Sequence, residues 1–404
     1  MIDYRLDFPL LSRRYKKKQL IYFDNAATSP KPEVVIKAVL KYYNFQGANI
    51  RRGPNFLAED ATKSFDEARI AVANFIKAKK EEIIFTSGAT AGFNFIARTW
   101  AEKNLKKGDV VALSIAEHHA NIVPWLQLKK KIGIVIKYIE LDENYNFSAS
   151  SLAEIFKDKR LKILSLTQAS NVLGYYYDLK DIIKQARSLG VLTIIDAAQS
   201  IAHKPLDVKE LGADIVIFSA HKMFAPSGVG VLYLRPEILK NLEPFFGGGG
   251  MIEEVKEQSF TTTDIPFRFE AGTPNIEGVI GLGAACKYLE KISWKKIEAR
   301  ELEITRYLLS LLDNYPFLNL LGGRDEKKRL PLFSFSFSKI HPHDVADLLG
   351  EEAIISRSGH HCAEPLHRYL KIGASLRLSL AFYNTKEEID SFFKAMEKIK
   401  KTLS

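Results

Sequence analysis

From about residue 60 to residue 240 the sequence alternates between short apolar runs and longer amphipathic stretches. The apolar runs are rich in Val, Ile and Leu, which is typical of strands buried on both faces of a sheet. The stretches between them have the spacing of helices that cover such a sheet, so the pattern predicts a mostly parallel sheet with helices on both faces. The predicted strands are Glu82–Thr86, Val110–Ser114, Ile134–Ile139, Lys162–Leu166, Val191–Ile195, Ile215–Phe218 and Val229–Tyr233, and the predicted helices are Ala91–Ala101, Val123–Ile132, Ser151–Phe156 and Leu179–Leu189.

After about residue 285 the regular alternation stops and a long charged helix follows. This change predicts a large domain over residues 21–284 and a smaller α+β domain formed by residues 1–20 and 285–404. The elements predicted in the smaller domain are helix Trp294–Leu312, strand Leu332–Ser336, helix Asp344–Leu349, a strand near Ile354, strand Leu376–Leu380 and helix Glu387–Lys401.

Composition excludes several classes of protein. The 404 residues are 46% hydrophobic and 26% charged, as in ordinary globular proteins. No apolar stretch reaches the roughly 20 residues of a membrane span, and the first residues lack the apolar core of a signal peptide, so we expect a cytoplasmic protein without membrane contact. The formal charge of +10 is scattered and forms no nucleic-acid-binding motif. The two cysteines, Cys286 and Cys362, do not make a disulfide framework.

Chemically informative residues follow the predicted strands, at the sheet edge where α/β proteins bind ligands. A glycine-rich turn, Ser87–Gly92, suits a phosphate at a helix N-terminus, although a plain strand-to-helix turn has the same appearance. Asp196 ends one strand, where it could also be a helix cap. Lys222 ends the next strand in Ser-Ala-His-Lys, where a buried ammonium would be costly. Pyridoxal phosphate (PLP) requires such a lysine, an anion for its ring nitrogen and donors for its phosphate.

At this point the chain resembles the class V aminotransferase group of fold-type I PLP enzymes, and within it the SufS/CsdA-type (group II) cysteine desulfurases. The resemblance covers nearly the whole chain and implies a large PLP-binding domain plus a smaller α+β C-terminal domain. The matching segments are Phe23–Ala27, Glu117–Trp125, Ser170–Gly174, the Asp196/Gln199 pair, Ser219–Lys222, Arg268–Asn275, Arg357–Ala363 and Arg377–Thr385.

The resemblance also implies a role for each matching residue. Lys222 would carry the cofactor as a Schiff base, Asp196 would pair with its ring nitrogen, Gln199 would bond its 3-oxygen, and His118 would stack on its ring. The phosphate ligands would be Thr90, Ser219, His221 and, from a second subunit, Thr273. The substrate site would be lined by Asn25, Asn171, Arg357 and Arg377. The chain departs from the family at Ala91, where relatives usually have Glu, and at Arg51, where they often have His; both departures lie near the expected dimer contact.

Cys362 lies in Arg-Ser-Gly-His-His-Cys-Ala, a segment that follows a predicted strand and precedes Pro365, so we expect a loop with an exposed thiol. Imidazolium groups at His360 and His361 would increase its thiolate fraction. A structural cysteine is one alternative. A metal site formed by Cys362, its neighbouring histidines and His367 is a second alternative. The spacing of these residues matches no zinc-binding motif, so no metal site is predicted.

The reaction implied is conversion of L-cysteine to L-alanine, with Lys222 as the base at Cα and Cys362 accepting the sulfur as a persulfide. A homodimer, a SufE- or SufU-like acceptor protein and a role in iron–sulfur cluster assembly are implied as well. A selenocysteine lyase would use the same residues. A PLP aminotransferase or epimerase would not need Cys362, and a sulfur-carrier scaffold would not need Lys222.

Overall fold

A seven-stranded sheet forms the centre of the structure, a computed structural model that describes residues 3–51 and 53–403. Its strands are buried along most of their length, as the runs of Val, Ile and Leu require. In chain order the strands of the molecule are β1 Arg14–Tyr15, β2 Lys18–Gln19, β3 Ile21–Tyr22, β4 Ile83–Thr86, β5 Val110–Ser114, β6 Val135–Ile139, β7 Leu161–Thr167, β8 Leu192–Asp196, β9 Ile215–Ser219, β10 Gly230–Leu234, β11 Ile252–Val255, β12 Phe260–Thr262, β13 Asn319–Leu321, β14 Leu332–Ser336, β15 Ile354–Ile355, β16 Arg357–Gly359 and β17 Ser375–Ser379.

Helices cover both faces of this sheet and pack around the C-terminal part of the chain. They are α1 Glu33–Lys41, α2 Phe56–Phe75, α3 Ala89–Ile96, α4 Glu102–Asn104, α5 Val123–Ile132, α6 Ala149–Lys157, α7 Lys180–Ser188, α8 Val208–Leu211, α9 Pro236–Leu239, α10 Ile276–Ile292, α11 Trp294–Leu311, α12 Pro342–Glu351, α13 Glu364–Tyr369 and α14 Lys386–Leu403. A π-helical turn, Ala97–Ala101, joins α3 to α4, so the helix predicted at Ala91–Ala101 is one continuous helical segment.

The order of the central strands is β4-β10-β9-β8-β7-β5-β6. Strands β6, β5, β7, β8 and β9 are parallel, whereas β10 runs antiparallel to both of its neighbours. Two separate apolar clusters lie on the faces of the sheet. The predicted α/β class with a mostly parallel sheet is therefore confirmed, and each of its predicted strands lies within two residues of an observed one.

The C-terminal region has its own antiparallel sheet, in the order β13-β14-β17-β16, and its own apolar core. The N-terminal segment crosses between the two regions: β3 pairs with β15, and Phe23 packs in the C-terminal core. Cys286 and Ile297, by contrast, pack in a cluster of the central sheet. The division at residue 285 remains a prediction, and the side-chain clusters follow it only approximately.

Within the described residues, no helix combines the length and the apolar composition that crossing a bilayer would need.

Candidate active site

One cavity of about 310 Å³ lies where the ends of the central strands meet the loop that carries Cys362. It brings together ten of the thirteen residues that the sequence singled out, although they are spread over nearly 290 positions of the chain. The ten are Thr90, His118, Asn171, Asp196, Ser219, His221, Lys222, Arg357, Cys362 and Arg377. The other three, Asn25, Gln199 and Thr273, are not among the residues that line it.

Lys222 lies one short turn beyond β9, at the end of the 3-10 segment Ala220–Lys222. Burial lowers the pKa of its ammonium, and the carboxylate of Asp196 opposes that shift only in part. Within the described residues, no hydrogen bond or ion pair was found for its Nζ. For a buried lysine without such a partner, the neutral amine or an imine has a lower free energy than the ammonium.

The carbonyl of His221, the residue before Lys222, is held by donors from the N-terminal segment. Ser29 donates both its N–H, at 2.9 Å, and its hydroxyl, at 3.1 Å, and Lys31 donates its Nζ at 3.3 Å. Burial lowers the pKa of Lys31 to about 8. These contacts fix the backbone from which Lys222 projects. Sequence reasoning missed Lys31, because no local pattern indicates a lysine that bonds carbonyl groups.

Asp196 and His118 present a carboxyl group and a neutral ring to the same cavity. Asp196 ends β8, and its Oδ1 accepts the N–H of Ala198 at 2.8 Å. Burial raises the pKa of this carboxyl, while Lys222 and the Ala198 bond favour its charged form. The Nδ1 of His118 accepts the N–H of Ala120 at 3.0 Å, and burial, followed by the charge of Lys222, lowers the pKa of His118 to about 3. His118 is therefore a neutral ring with its proton on Nε2.

The N-terminus of α3 closes another side of the cavity. Gly88 precedes the helix, and the N–H of Ala89 donates to the hydroxyl of Ser219 at 2.8 Å. A Cβ on Gly230 would lie 2.5 Å from the backbone of Gly88, so only glycine allows β10 to approach the turn this closely. Free N–H groups of a first helical turn, beside hydroxyl and imidazole groups, suit a phosphate. Ala91 lies in this same turn.

Two guanidinium groups share one carboxylate at the substrate side of the cavity. Arg357 donates to both oxygens of Asp24 at 2.9–3.2 Å, and Arg377 donates to Asp24 at 3.2 Å and to the carbonyl of Asn171 at 3.1 Å. The side chain of Arg377 is 3% exposed, whereas that of Arg357 is 49% exposed. Sequence reasoning missed Asp24, although two arginines predicted at one site required an acid nearby.

The side-chain amides of Asn25 and Gln199 form hydrogen bonds with other residues of the protein. The Nδ2 of Asn25 donates to the Ser379 carbonyl at 2.8 Å, and the hydroxyl of Tyr383 donates to its Oδ1 at 2.7 Å. Gln199 donates its Nε2 to the carbonyl of Ala26 at 3.0 Å. Both amides therefore support the wall of the cavity in this structure.

Thr273 lies in a different cavity, of about 350 Å³, together with Asn49 and Arg51. Asn49 donates to its hydroxyl at 3.4 Å. Arg51, one of the two departures from the family pattern, stacks on Phe267 at 3.6 Å and pairs with Asp66 at 2.9 Å. Within one chain, Thr273 is therefore separated from the other predicted phosphate ligands.

The loop between β16 and α13 presents the thiol of Cys362, which is exposed, while Cys286 is fully buried in α10. His361 is only 8% exposed, and burial lowers its pKa to about 2. Its Nε2 bonds to Ser375 at 3.0 Å, and Ser375 also bonds to His367 at 3.1 Å. Burial therefore disfavours an imidazolium at His361 beside the thiol.

These histidines do not gather around a metal. Among the residues that the structure describes, no group of three His, Cys, Asp or Glu side chains is arranged to hold a metal ion.

Comparison with known proteins places the chain in a family. A family model for class-V aminotransferases matches residues 21–392. A cysteine desulfurase of Shigella sonnei is 39% identical over 401 residues, which cover 99% of this chain and 98% of the relative. The apo structure of a cysteine desulfurase from Thermococcus onnurineus NA1 superposes with a TM-score of 0.94 at 38% identity, and that of the Escherichia coli cysteine desulfurase CsdA, in an S-sulfonic acid form, with a TM-score of 0.91 at 35% identity.

Both structures cover 99% of this chain and are themselves covered to 98%. The similarity thus extends over the central sheet and the C-terminal region with its Cys362 loop, and it confirms the resemblance seen in the sequence. The protein belongs to the class-V aminotransferase family, whose members are known PLP enzymes.

Proposed function

We propose that this protein is a cysteine desulfurase, which converts L-cysteine to L-alanine and takes the sulfur onto Cys362. One observation carries the proposal: the buried amine of Lys222 and the exposed thiol of Cys362, from two separate regions of the fold, line the same cavity as Arg377. The full-length relatives named cysteine desulfurase support it.

The residues of the cavity fit PLP. Lys222 is buried without an ion pair among the described residues, Asp196 is a buried carboxylate that lines the same cavity, and His118 offers a neutral ring. Thr90, Ser219 and the first turn of α3 would hold a phosphate. When bound there, PLP supplies an electron sink for the pair left at the substrate Cα.

The protein's own residues then bind the substrate and move its proton. Arg377 presents a buried guanidinium, which suits the substrate carboxylate. The lowered pKa of Lys222 favours a neutral amine, which can take the Cα proton of L-cysteine. Asn171 and Arg357 line the same side of the cavity and would complete the substrate site.

Cys362 performs the sulfur transfer. Its thiolate attacks the substrate sulfur, an S–S bond forms, and the C–S bond breaks with its electron pair going to Cβ. Cβ then takes a proton, the proton held by Lys222 returns to Cα, the product is alanine, and Cys362 is left as a persulfide. The position of Cys362 on an exposed loop leaves the persulfide open to an acceptor thiol.

The remaining expectations belong to this proposal. A homodimer would bring Thr273 of one subunit to the phosphate site of the other. A SufE- or SufU-like acceptor protein would receive the sulfur in the cytoplasm for iron–sulfur cluster assembly. Selenocysteine is an alternative substrate, which relative rates on the two amino acids would rank.

The test measures alanine formed from L-cysteine with PLP and a thiol reductant. Wild type and Cys286→Ala should form alanine, because Cys286 is fully buried away from the cavity. Cys362→Ser should form almost none while still binding PLP. Borohydride reduction should attach the cofactor covalently to Lys222, as shown by peptide mass. Near-normal alanine formation by Cys362→Ser would favour an aminotransferase or lyase, and failure of the wild-type protein to bind PLP would contradict the assignment altogether.

A further inference from the structure

The two adjacent histidines after β5 contact different parts of the site. His118 lines the cavity, with its Nδ1 engaged by the N–H of Ala120. His119 instead contacts the loop that carries the exposed thiol. Its backbone N–H donates to the carbonyl of Cys362 at 2.7 Å, and its Nε2 accepts the N–H of Glu364 at 3.1 Å. A single residue of the central sheet region thus holds the loop on both sides of Ala363.

A second anchor lies next to the first. The Nδ2 of Asn171 donates to the carbonyl of His361 at 2.6 Å. Three consecutive attachment points of the loop, the carbonyls of His361 and Cys362 and the N–H of Glu364, are therefore bonded to the other region of the fold. Of the two side chains involved, that of Asn171 lines the cavity, whereas that of His119 does not and contacts the loop.

The loop needs these anchors because its backbone is strained. His361 and Cys362 both have positive φ, 51° and 56°, which is uncommon for a single residue with a side chain and more so for two in succession. Such conformations persist where surrounding contacts over-determine them. Within the loop, the N–H of Ala363 donates to the carbonyl of His360 at 2.9 Å, which closes one turn but does not attach it to the rest of the molecule.

We propose that His119 is a positioning residue for Cys362, whose side-chain acceptor holds the strained loop so that the thiol faces the substrate sulfur. This inference rests on the proposed desulfurase function. It requires a neutral ring with its proton on Nδ1, since Nε2 must accept a hydrogen bond. Burial, opposed by Glu364 and assisted by His360, lowers the pKa of His119 and favours that neutral form.

The experiment compares His119→Gln with His119→Met. The two side chains have nearly the same length and shape, but only Gln can place an acceptor oxygen near the position of Nε2. Both variants keep the backbone N–H that reaches Cys362. A role limited to filling space would affect both variants equally, whereas the proposed role predicts activity for Gln and loss for Met.

Three readouts separate the steps. Hydrogen exchange of the Glu364 amide reports the anchor directly and needs no activity. Alkylation of Cys362 by iodoacetamide, located by peptide mass, reports how the thiol is held, and buried Cys286 does not interfere. Exchange of the substrate Cα proton with solvent deuterium reports the Lys222 step, while alanine formation reports the Cys362 step.

For His119→Met we expect faster exchange of the Glu364 amide and an altered alkylation rate. Alanine formation should fall by roughly 10- to 100-fold, as for a reactive group misplaced by about 1 Å, with Cα exchange within about twofold of wild type. His119→Gln should stay within about fivefold of wild type in alanine formation, because it restores the acceptor.

Other outcomes would overturn the inference. Alanine formation by His119→Met at the wild-type rate, equal losses in both variants, or a parallel loss of Cα exchange would each show that the acceptor of His119 does not position the thiol. If His119→Met does not fold, His119→Leu takes its place. A wild-type protein that forms no alanine would refute the proposed function instead, while exchange of the Glu364 amide would still decide whether His119 anchors the loop.

Discussion

At the scale of single residues, Asp24 balances the positive charge of the substrate side. It is 6% exposed and is the carboxylate that both Arg357 and Arg377 contact. Removing one member of a buried ion pair leaves the other charge without compensation, which costs more than the pair contributed. The half-exposed Arg357 can turn toward water, but Arg377 cannot.

Asp24→Asn should therefore lower the free energy of unfolding by about 3 kcal/mol, because the buried charge of Arg377 loses its counterion. Arg357→Gln is the matched control and should cost less than about 1 kcal/mol, since its side chain is 49% exposed. Urea unfolding of the two variants measures both values. Equal costs would show that Asp24 does not serve Arg377 in particular.

His361 should make stability depend on pH. It is buried beside Ser375, and the charges of Arg377 and Arg357 and the ring of His367 also face it. Its pKa in the folded protein is about 2, compared with about 6.5 in the unfolded chain. Below about pH 6.5 the unfolded state binds a proton that the folded state does not. The free energy of unfolding therefore decreases as the pH is lowered, by up to about 1.4 kcal/mol per pH unit.

The check is urea unfolding at pH 7, 6, 5 and 4 for wild type and His361→Gln. The variant should show a shallower decline below about pH 6.5, by roughly the contribution of one histidine. Carboxylates contribute equally to both proteins, so the difference isolates His361. Identical declines would mean that the ring is protonated in the folded state.

At the scale of elements, strands with continuous apolar runs and helices with a clear amphipathic pattern were predictable, because these patterns specify them directly. Val110–Ser114, Val123–Ile132 and Leu332–Ser336 have the same bounds in prediction and structure. Helices α1 and α2 have no predicted counterpart. The burial pattern of α2 rests largely on alanines, which give little periodic contrast, and its partner α10 has a glycine, Gly283, at the contact. Tertiary packing, rather than local pattern, defines such helices.

Gly283 tests this packing. In α10 it faces α2, and a Cβ there would lie 2.7 Å from the Cα and Cβ of Ala68, so Gly283→Ala should destabilise by about 1–3 kcal/mol despite better helix propensity. Gly350 in α12 is the control, since a Cβ there meets no atom within 4 Å. Gly350→Ala should stabilise by about 0.5–1 kcal/mol. Thermal unfolding measures both, and stabilisation by Gly283→Ala would contradict the close contact of α2 and α10.

At the scale of the whole molecule, the site forms where the ends of the central strands meet the loop that carries Cys362. The motifs at Lys222 and Cys362 were visible in the sequence, but the contacts that bring them together were not. Asp24, Lys31 and His119 act across long sequence distances through a few hydrogen bonds each, which no local pattern of the sequence indicates. The motif residues were found because the chemistry of a cofactor demands their types, whereas their supports could be recognised only from the geometry.

Thr273 is the residue that points to a second subunit. Thr273 lies in a cavity apart from Thr90 and Ser219, so within one chain it has no phosphate site to serve. Large apolar side chains near α1 and α2 are exposed, including Tyr43 at 57%, Phe45 at 71% and Phe56 at 72%. Exposed aromatic groups in this number are typical of an interface, which supports the proposed dimer.

Mixed dimers would decide whether Thr273 acts across that interface. We expect Thr273→Val to weaken PLP binding about 10-fold or more, because a hydrogen bond to a charged group is lost, and Lys222→Ala to abolish the covalent attachment. If Thr273 serves the partner, a dimer of one Lys222→Ala and one Thr273→Val subunit contains one complete site: the Lys222 of the second subunit meets the Thr273 of the first. Differently tagged subunits allow this mixed dimer to be purified, and PLP titration followed by absorbance should show one site of wild-type affinity per dimer.

A Thr273 that acted within its own subunit would leave no complete site, and a protein that stays monomeric at micromolar concentration with full PLP affinity would exclude the shared site.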